Sequence, residues 1–284
     1  MPPRSVLVTG ASRDLGLDMT RHLVTGGCHV LAGVRTALDG KRLVAELGAG
    51  VTPVVLDVTD ARSIAAAAAE IATRVGDAGL AGLVNNAGIG GFGPLEQEPM
   101  ERFEEIFRVN VFGVQALTQA LLPLLRRARG RIVNISSGNG KLAFPFAGPY
   151  SASKFALEAL SDSLRMELAP WGIHVVVVEP GAMATDIRVK GVEAWAAEHA
   201  ELPEADRALY AEQLKAVRGA IHAWEATVAP NGLVSAAVLE ALTAPEPKTR
   251  YVVGMPEEQI QALVSMPDRE RDKVAAGMLG LGGP

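Results

Sequence analysis

The sequence predicts an α/β protein whose single doubly wound parallel sheet has about seven strands, with helices on both faces. Two observations predict this fold. Short apolar runs rich in β-branched residues alternate with helical stretches along the chain, which is typical of a parallel sheet covered by helices. The runs are apolar at nearly every position, as expected of strands buried on both faces. With 284 residues, 49% of them hydrophobic, the chain suits one domain over residues 1–284.

The strands are predicted where apolar runs are bounded by glycine, proline or polar residues. They cover residues 5–9, 28–34, 51–56, 80–84, 130–136, 173–178 and 251–253. The sixth run contains four consecutive valines, as expected of a strand in a sheet that is covered on both faces.

The helices are predicted from caps and from the spacing of apolar residues between the strands. They cover a stretch that ends at residue 25, followed by residues 40–47, 60–75, 101–127, 150–169, 231–242 and 267–279. Asp60 is a good N-cap for the third helix, and the alanine run that follows it has high helix propensity.

Composition excludes several classes of function. A net charge of −5 gives no sign of the clustered basic face that nucleic-acid binding requires. The longest apolar stretches are too short, or too interrupted by Gly or Pro, to span a bilayer. The single cysteine, Cys28, excludes an intramolecular disulfide and fits a reducing compartment; inside a predicted strand we interpret it as a core residue. No signal peptide precedes the first strand, so we expect a cytoplasmic protein.

A glycine turn joins the first strand to the first helix. Gly10 permits a tight turn, and Gly16 permits close packing of helix on strand. A helix that begins at such a turn presents free backbone N–H groups and the positive end of its dipole, which suit a pyrophosphate. Its place at the first βα junction of a long alternation favours dinucleotide binding over an ordinary connection.

Tyr150, Lys154 and Ser137 are candidate catalytic residues. Residues four apart on a helix share a face, so Lys154 is expected beside Tyr150. Ser137 would lie at the C-terminal end of the fifth strand, where open α/β sheets bind ligands. The pKa of a free phenol is near 10, and a cationic Lys154 within about 4–6 Å can lower it substantially. Ser137 can donate a hydrogen bond to the same reacting oxygen.

These residues occur in an order and spacing that resembles the short-chain dehydrogenases/reductases, over nearly the whole chain. The resemblance rests on residues 9–16, 56–58 and 85–88, on Asn110, Ser137, Tyr150 and Lys154, and on Pro180, Gly181 and Thr185. Residues 247–254 resemble the branch that contains 17β-hydroxysteroid and retinol dehydrogenases. The resemblance implies a Rossmann-like fold and hydride transfer with a nicotinamide cofactor.

The resemblance also implies roles for individual residues. Asn110 would hold a water in a proton relay to Lys154; the alternative is a helix-packing asparagine satisfied by the backbone. Asp57 would contact the adenine, and Met183 would lie near the carboxamide. The implied cofactor-binding residues are Gly10, Ser12, Arg13, Leu15, Gly16, Arg35, Asp57, Val58, Asn86, Ala87, Gly88, Tyr150, Lys154, Pro180, Gly181, Met183 and Thr185. No metal site is predicted.

Two arginines predict the coenzyme. NAD enzymes generally place an acid after the second strand to accept the ribose 2′-hydroxyl, whereas a 2′-phosphate favours arginine. Residues 32–36 contain no acid, Arg35 follows the position of the family's acid, and Arg13 lies in the glycine turn. Either arginine alone could be a surface charge. Together they predict NADP(H), with NAD(H) as the alternative.

Asp14 departs from the family, which usually has a glycine there. A carboxylate would repel a pyrophosphate, and a position with φ > 0 would resist Asp more than Gly. Because Asp is also a good N-cap, we interpret Asp14 as a cap that is turned away from the phosphates.

Residues 188–230 interrupt the β/α alternation and are predicted to form a helical substrate lid, and residues 255–284 a helical tail. The position after the sixth strand favours a lid. The alternative for Trp195, Tyr210 and Trp224 is that they anchor these helices to the body. His199 and His222 have no recognisable ligand spacing and receive no role.

The predicted function is an NADP(H)-dependent oxidoreductase that interconverts a carbonyl and an alcohol on a fairly apolar substrate. The alternative is a catalytically silent NADP-binding sensor of the same fold, and a sugar-nucleotide epimerase is disfavoured by its different glycine spacing. Helices 101–127 and 150–169 carry apolar residues on more than one face. We therefore expect a homodimer or homotetramer.

Overall fold

The computed structural model describes residues 4–183, 191, 195, 197, 200–225 and 228–282. Its sheet has seven parallel strands in the order β3-β2-β1-β4-β5-β6-β7. The strands are β1 Ser5–Thr9, β2 His29–Val34, β3 Val51–Val55, β4 Gly82–Asn85, β5 Arg131–Ile135, β6 His174–Pro180 and β7 Arg250–Val253. This architecture confirms the predicted fold class, and all seven predicted strands are present.

Eleven α-helices are present in the described part of the chain. They are α1 Asp14–Thr25, α2 Ala37–Leu47, α3 Ala61–Val75, α4 Met100–Phe107, α5 Val114–Ala128, α6 Gly148–Leu168, α7 Glu204–Leu209, α8 Ala211–Glu225, α9 Gly232–Thr243, α10 Glu257–Ser265 and α11 Asp268–Met278. None of the helices that the structure describes is both long and apolar enough to cross a membrane.

The sheet separates two apolar clusters, one on each face. Alternate residues of β1 point to opposite sides, so that Val6 and Val8 join one cluster and Leu7 the other. The first cluster contains residues of α1, α2 and α9, and the second contains residues of α3, α5 and α6. Cys28 is a buried free thiol in the first cluster, as its place in the sequence predicted. Burial on both faces explains the continuous apolar strands.

The predicted long helix 101–127 is interrupted. A π-helical segment, Arg108–Gly113, separates α4 from α5. It places Gly113 so close to β3's following loop that a Cβ there would lie 2.6 Å from the carbonyl oxygen of Val58. A π-turn adds one residue to a helix and is common at functional sites. Apolar periodicity cannot resolve a single inserted residue, so the sequence predicted one continuous helix.

Two further element boundaries differ from the prediction for local reasons. α2 begins at Ala37 instead of residue 40, because the Thr36 side chain accepts a hydrogen bond from the Asp39 N–H and caps the helix. The tail contains a helix, α10, that the sequence analysis did not separate from its surroundings. Pro267 precedes α11 and divides the tail into two helices.

Candidate active site

A cleft of about 1120 Å³ opens at the carboxyl ends of the strands. It lies where the strand order reverses between β1 and β4, the place where open α/β sheets bind ligands. Predicted site residues line it together: Gly10, Ser12, Arg13, Leu15, Gly16, Arg35, Asp57, Val58, Asn86, Ala87, Gly88, Ser137, Tyr150, Lys154, Pro180, Gly181 and Met183. Thr185 lies outside the described residues, and Asn110 is buried behind the cleft.

The glycine turn is tightly packed. Gly10 has φ +64°, a conformation that favours glycine. A Cβ on Gly16 would lie 2.1 Å from the Gly10 carbonyl oxygen and 2.7 Å from Nδ2 of Asn86. No side chain can be accommodated there without moving the backbone, so Gly16 lets α1 begin directly against the turn.

Thr9 joins the glycine turn to the loop that follows β4. Its Oγ1 accepts hydrogen bonds from the backbone N–H groups of Asn86 and Ala87, both at 2.9 Å. Nδ2 of Asn86 donates in return to the Thr9 carbonyl oxygen at 2.9 Å. No role for Thr9 was predicted from the sequence. The available signal was a hydroxyl at the last position of a strand, directly before the glycine turn.

Asp14 does not have the predicted conformation. α1 begins at Asp14, the preceding residue Arg13 is the N-cap, and no side chain caps the helix. Asp14 itself has φ +46°, in the left-handed region that favours glycine, and it lines the cleft. The interpretation of Asp14 as an N-cap is therefore wrong. The turn holds this backbone in the left-handed region with aspartate as it would with glycine, and Asp and Asn are the side chains that tolerate it best.

We expect Asp14→Gly to tighten NADPH binding. The substitution removes a carboxylate from a cleft that suits phosphates, and one unit charge at about 4 Å in water contributes about 1 kcal/mol, or about fivefold in Kd. The measurement is NADPH fluorescence titration. Asp14→Asn is the matched control, because it removes the charge and keeps a side chain that tolerates positive φ. If neither variant binds NADPH more tightly than the wild type, the carboxylate does not oppose the cofactor.

Arg13 and Arg35 are exposed side chains on the same cleft. Neither makes a hydrogen bond or an ion pair with the described residues, so both guanidinium groups are free to meet an anionic ligand. The positive charge of Arg35 lowers the pKa of Asp57, although it is a minor cause. The pKa of Asp57 lies below its ordinary value, chiefly because the Thr59 hydroxyl and backbone N–H donate to Oδ1 at 2.7 and 2.8 Å. Asp57 is thus a fixed carboxylate at the outer end of the cleft.

Tyr150 and Lys154 lie one turn apart on α6, as the sequence predicted. Nζ of Lys154 is 5.7 Å from the centroid of the Tyr150 ring and donates to the Ile135 carbonyl oxygen at 2.8 Å. Burial lowers the pKa of Lys154 to about 8, while the negative charge of Glu158 acts in the opposite direction. Near neutral pH, Lys154 therefore presents an ammonium group to the cleft.

Ser137 lies two residues after β5, at the rim of the same cleft. It is buried, and its Oγ accepts from the Asn139 N–H at 3.2 Å. The bond orients Oγ as an acceptor and leaves its proton available for donation. The Asn139 side chain donates to Ser151 Oγ at 3.1 Å, which ties this turn to α6.

Asn110 lies in the π-helical segment and is 1% exposed. Its Oδ1 accepts from the Ile89 N–H, and its Nδ2 donates to the Ile89 carbonyl and to Ser153 Oγ, all at 2.9–3.0 Å. Ser153 Oγ in turn donates to the Tyr150 carbonyl oxygen. The side chain is thus engaged by the backbone, as the packing alternative describes. The predicted water relay to Lys154 stays a prediction.

A family model of short chain dehydrogenases matches residues 4–195. A solved structure, a short-chain dehydrogenase from Streptomyces avermitilis, has a TM-score of 0.77 and 32% identity, covering 92% of each chain. The chain belongs to the short-chain dehydrogenase family. It is therefore an oxidoreductase of this family, and the resemblance recognised in the sequence is confirmed.

Several curated relatives place this short-chain dehydrogenase more closely. An NADPH-dependent 3-dehydrocapnine reductase of Ornithobacterium rhinotracheale is 35% identical over 277 residues, 95% of each protein. Retinol dehydrogenase 16 of Homo sapiens is 38% identical over 256 residues, 88% of this chain and 80% of the relative. A 17-beta-hydroxysteroid dehydrogenase type 6 of Bos taurus is 44% identical over 181 residues, 63% and 57%. The last two confirm the predicted branch.

Proposed function

We propose that this short-chain dehydrogenase interconverts a carbonyl and a secondary or primary alcohol on a fairly apolar substrate, with NADP(H) as its preferred coenzyme. One observation carries the proposal. Ser137, Tyr150 and Lys154 line the same cleft as the glycine turn and the two free arginines. Residues that can transfer a proton thus share a cleft with a site suited to a dinucleotide.

The proton is handled by the chain's own residues. In reduction, Tyr150 donates its phenolic proton to the carbonyl oxygen as negative charge develops there, and in oxidation the phenolate accepts a proton from the alcohol. The Lys154 ammonium stabilises negative charge on the Tyr150 oxygen. Ser137 donates a hydrogen bond to the reacting oxygen and orients it. The bound nicotinamide supplies or accepts the hydride.

The cleft fits a dinucleotide phosphate. A volume of about 1120 Å³ exceeds that of ordinary small-molecule pockets. Gly16 lets the start of α1 pack closely against the turn, where the pyrophosphate would bind. Arg13 and Arg35 would hold the 2′-phosphate, and Asp57 the adenine side. Asn86, Ala87 and Gly88 would line the adenosine, and Pro180, Gly181 and Met183 the carboxamide end.

An aromatic cluster next to the cleft supports an apolar substrate, because Phe92 lies against Gly191, which lines the cleft. Trp195, from the proposed lid, packs edge-on against Phe92, with ring centroids 6.2 Å apart. Tyr210 packs against Phe146, which lies in the loop before Tyr150. These rings join a third apolar cluster that also includes Phe144, Leu214, Val217, Ile221, Trp224 and Leu279. We propose that residues 188–230 cover the substrate and that this cluster anchors them, so that both readings of the aromatic residues apply.

The proposed function is tested in two steps. NADPH and NADH binding are first measured by fluorescence, and coenzyme oxidation is then followed at 340 nm with a panel of apolar ketones and aldehydes. The relative named as an NADPH-dependent reductase supports starting with NADPH. Turnover of at least one carbonyl, dependent on NADPH, supports the proposal. Tight NADPH binding with no turnover across the panel, and none of the matching alcohols with NADP⁺, would favour the silent sensor.

We propose that two copies associate through the outer surfaces of α5 and α6. Phe112, in the π-helical segment that leads into α5, is 61% exposed, and Met166 on α6 is 69% exposed. Helices that bury one apolar face against the sheet and carry large apolar residues on their outer face are expected to bury that second face against a partner. We expect light scattering to give at least twice the chain mass of 29.7 kDa, and Phe112→Glu with Met166→Glu to give the single-chain mass.

Leu38→Glu is the control for assembly. Leu38 is 59% exposed on α2, which packs on the opposite face of the sheet from α5 and α6. The control should leave the assembly intact. A wild-type mass near 30 kDa at micromolar concentration would contradict the proposal.

A cytoplasmic location is likewise proposed, supported by the single buried thiol at Cys28.

A further inference from the structure

Four charged side chains meet behind the cleft: Lys141 from the loop after β5, Glu158 from α6, Glu179 from β6 and Arg250 from β7. Nζ of Lys141 lies 3.1 Å from Oε2 of Glu158 and 3.8 Å from Oε1 of Glu179. Arg250 approaches the same two atoms from β7, with Nη2 3.0 Å from Glu158 and Nε 3.6 Å from Glu179. The two carboxylates are 6% and 2% exposed. We call these four residues the charge cluster.

The charge cluster is built around Glu158 on α6. Glu158 is placed between Lys141 and Arg250, so its negative charge is compensated from two sides. Gly140 leaves the space for it, since a Cβ there would lie 3.0 Å from Cγ and 3.3 Å from Oε1 of Glu158 and 2.8 Å from Ser136 Oγ. Burying two acids in one site is costly unless the arrangement is held by its surroundings. Here α6, β6, β7 and the loop that carries Lys141 hold it.

The cluster is connected to the candidate catalytic residues by short segments. Glu158 lies one helical turn after Lys154. Residues 135–137 run between the two groups: the Ile135 carbonyl accepts from Lys154, Ser136 faces the cluster, and Ser137 lines the cleft. A change of charge at Glu158 is therefore felt at Lys154, and the pKa of Lys154 is indeed raised by Glu158 against the effect of burial.

Besides Glu158, the acidic groups at the charge cluster are its own member Glu179 and the neighbouring Asp162 and Glu257. Burial first, and then the charge of Glu158, raise the pKa of Glu179 to about 7. Asp162 bonds to Arg250 Nη2 at 2.7 Å, and Glu257 of α10 acts on Glu179 through space. Near neutral pH Glu179 is therefore partly protonated, and Lys141 and Arg250 lie on either side of Glu158.

We propose that Glu158 is a positioning residue for the proposed reaction. Its negative charge keeps the buried Lys154 amine protonated, and Lys141 and Arg250 hold the Glu158 carboxylate in place. The inference rests on the proposed roles of Tyr150 and Lys154. It goes beyond them because Glu158 does not line the cleft and touches neither substrate nor cofactor. Without the charge of Glu158, the buried Lys154 amine would keep its hydrogen bond to the Ile135 carbonyl but lose the carboxylate that favours its charged form.

Glu158→Gln is the variant that tests this role, because it keeps the shape and removes the charge. A negative charge near an amine favours its protonated form, so its loss lowers the pKa of Lys154. We expect the titration midpoint of the Lys154 ¹³Cε signal, in protein labelled at lysine Cε and assigned with Lys154→Met, to fall by about one pH unit. Glu158→Asp keeps the charge, so its Lys154 midpoint should lie close to the wild-type value.

Asp162→Asn is the matched control on the same helix. It removes a carboxylate that also pairs with Arg250, but two turns away from Lys154. We expect its Lys154 midpoint to stay within a few tenths of a unit of the wild type. An unchanged midpoint in Glu158→Gln, or an equal fall in Asp162→Asn, overturns the proposal. Should Glu158→Gln fail to fold, Glu158→Met, which also removes the charge, takes its place, and an unchanged Lys154 midpoint contradicts the proposal.

A pH profile of NADPH-dependent turnover gives the second readout. If charged Lys154 is needed, the alkaline limb of kcat should move to lower pH in Glu158→Gln, with activity at pH 6 within about twofold of the wild type and a loss of about fivefold at pH 8. If kcat of Glu158→Gln falls by the same factor at all pH values, Glu158 has a merely structural role and the proposal is overturned. The titration of Lys154 does not depend on turnover, so a wild-type enzyme without activity would refute the proposed function while the titration still decides the role of Glu158.

Discussion

Replacing Tyr150 by phenylalanine is expected to lower kcat by about 10²–10⁴-fold while NADPH still binds. The change removes only the phenolic hydroxyl, so the ring that lies 5.7 Å from Nζ of Lys154 is kept. Lys154 retains its bond to the Ile135 carbonyl, and Ser137 its bond from Asn139. What is lost is the proton that the reacting oxygen requires. The measurement is a steady-state assay with the carbonyl that the panel identifies, together with an NADPH titration.

Tyr251→Phe is the control for the loss of a tyrosine hydroxyl. Tyr251 is buried in β7, outside the cleft, where its hydroxyl contacts the Lys248 N–H and Glu240. We expect its kcat to remain within about twofold of the wild type, with a modest loss of stability of about 1 kcal/mol. Retention of more than a tenth of the wild-type kcat by Tyr150→Phe would end the assignment of Tyr150 as general acid and base.

Changing Arg13 and Arg35 together to glutamine is expected to remove most of the preference for NADPH over NADH. Both guanidinium groups line the cleft and pair with nothing in the described chain, so the fold does not depend on them. Hydrogen bonds to charged groups contribute about 1.5–3 kcal/mol each. Loss of both should change the ratio of kcat/KM for the two coenzymes by about 10²-fold. The loss should appear in kcat/KM for NADPH, while kcat/KM for NADH stays nearly unchanged.

Arg42→Gln with Arg62→Gln is the matched control, because these two exposed arginines carry the same charge and lie outside the cleft. The control should leave the coenzyme ratio unchanged and so separates a local phosphate contact from the loss of two positive charges. A wild-type enzyme with equal kcat/KM for NADPH and NADH would show that the prediction from Arg13 and Arg35 is wrong.

Much of the candidate site could be predicted because its parts are local in the chain. The spacing of Tyr150 and Lys154 fixes their common face once a helix forms, and α6 contains both. Gly10 and Gly16 mark a strand–turn–helix whose geometry only glycine allows at the second position. The strand ends bring these segments to one edge of the sheet, since all seven strands are parallel. Local patterns and one topological rule therefore predicted where the cleft lies.

Other features depend on contacts between distant segments, and local patterns could not reveal them. Asp14 has two local tendencies, to cap a helix and to tolerate positive φ, and packing of the turn selected the second. The π-helical segment at Asn110 is associated with its bonds to Ile89 and Ser153, which come from two other parts of the fold. Thr9 similarly acts on a loop 77 residues away.

By itself, the sequence determined the α/β class, the order of the elements and the chemical groups around Tyr150, because periodicity, helix caps and residue spacing act between near neighbours. Only the tertiary structure decided that Glu158 and Glu179 share a buried site with Lys141 and Arg250. Each of these charges has an ordinary solvated alternative on its own element. Their pairing is imposed by the hydrogen bonding of β6 to β7 and by α6 packed across them, which buries the two carboxylates and places these cations beside them.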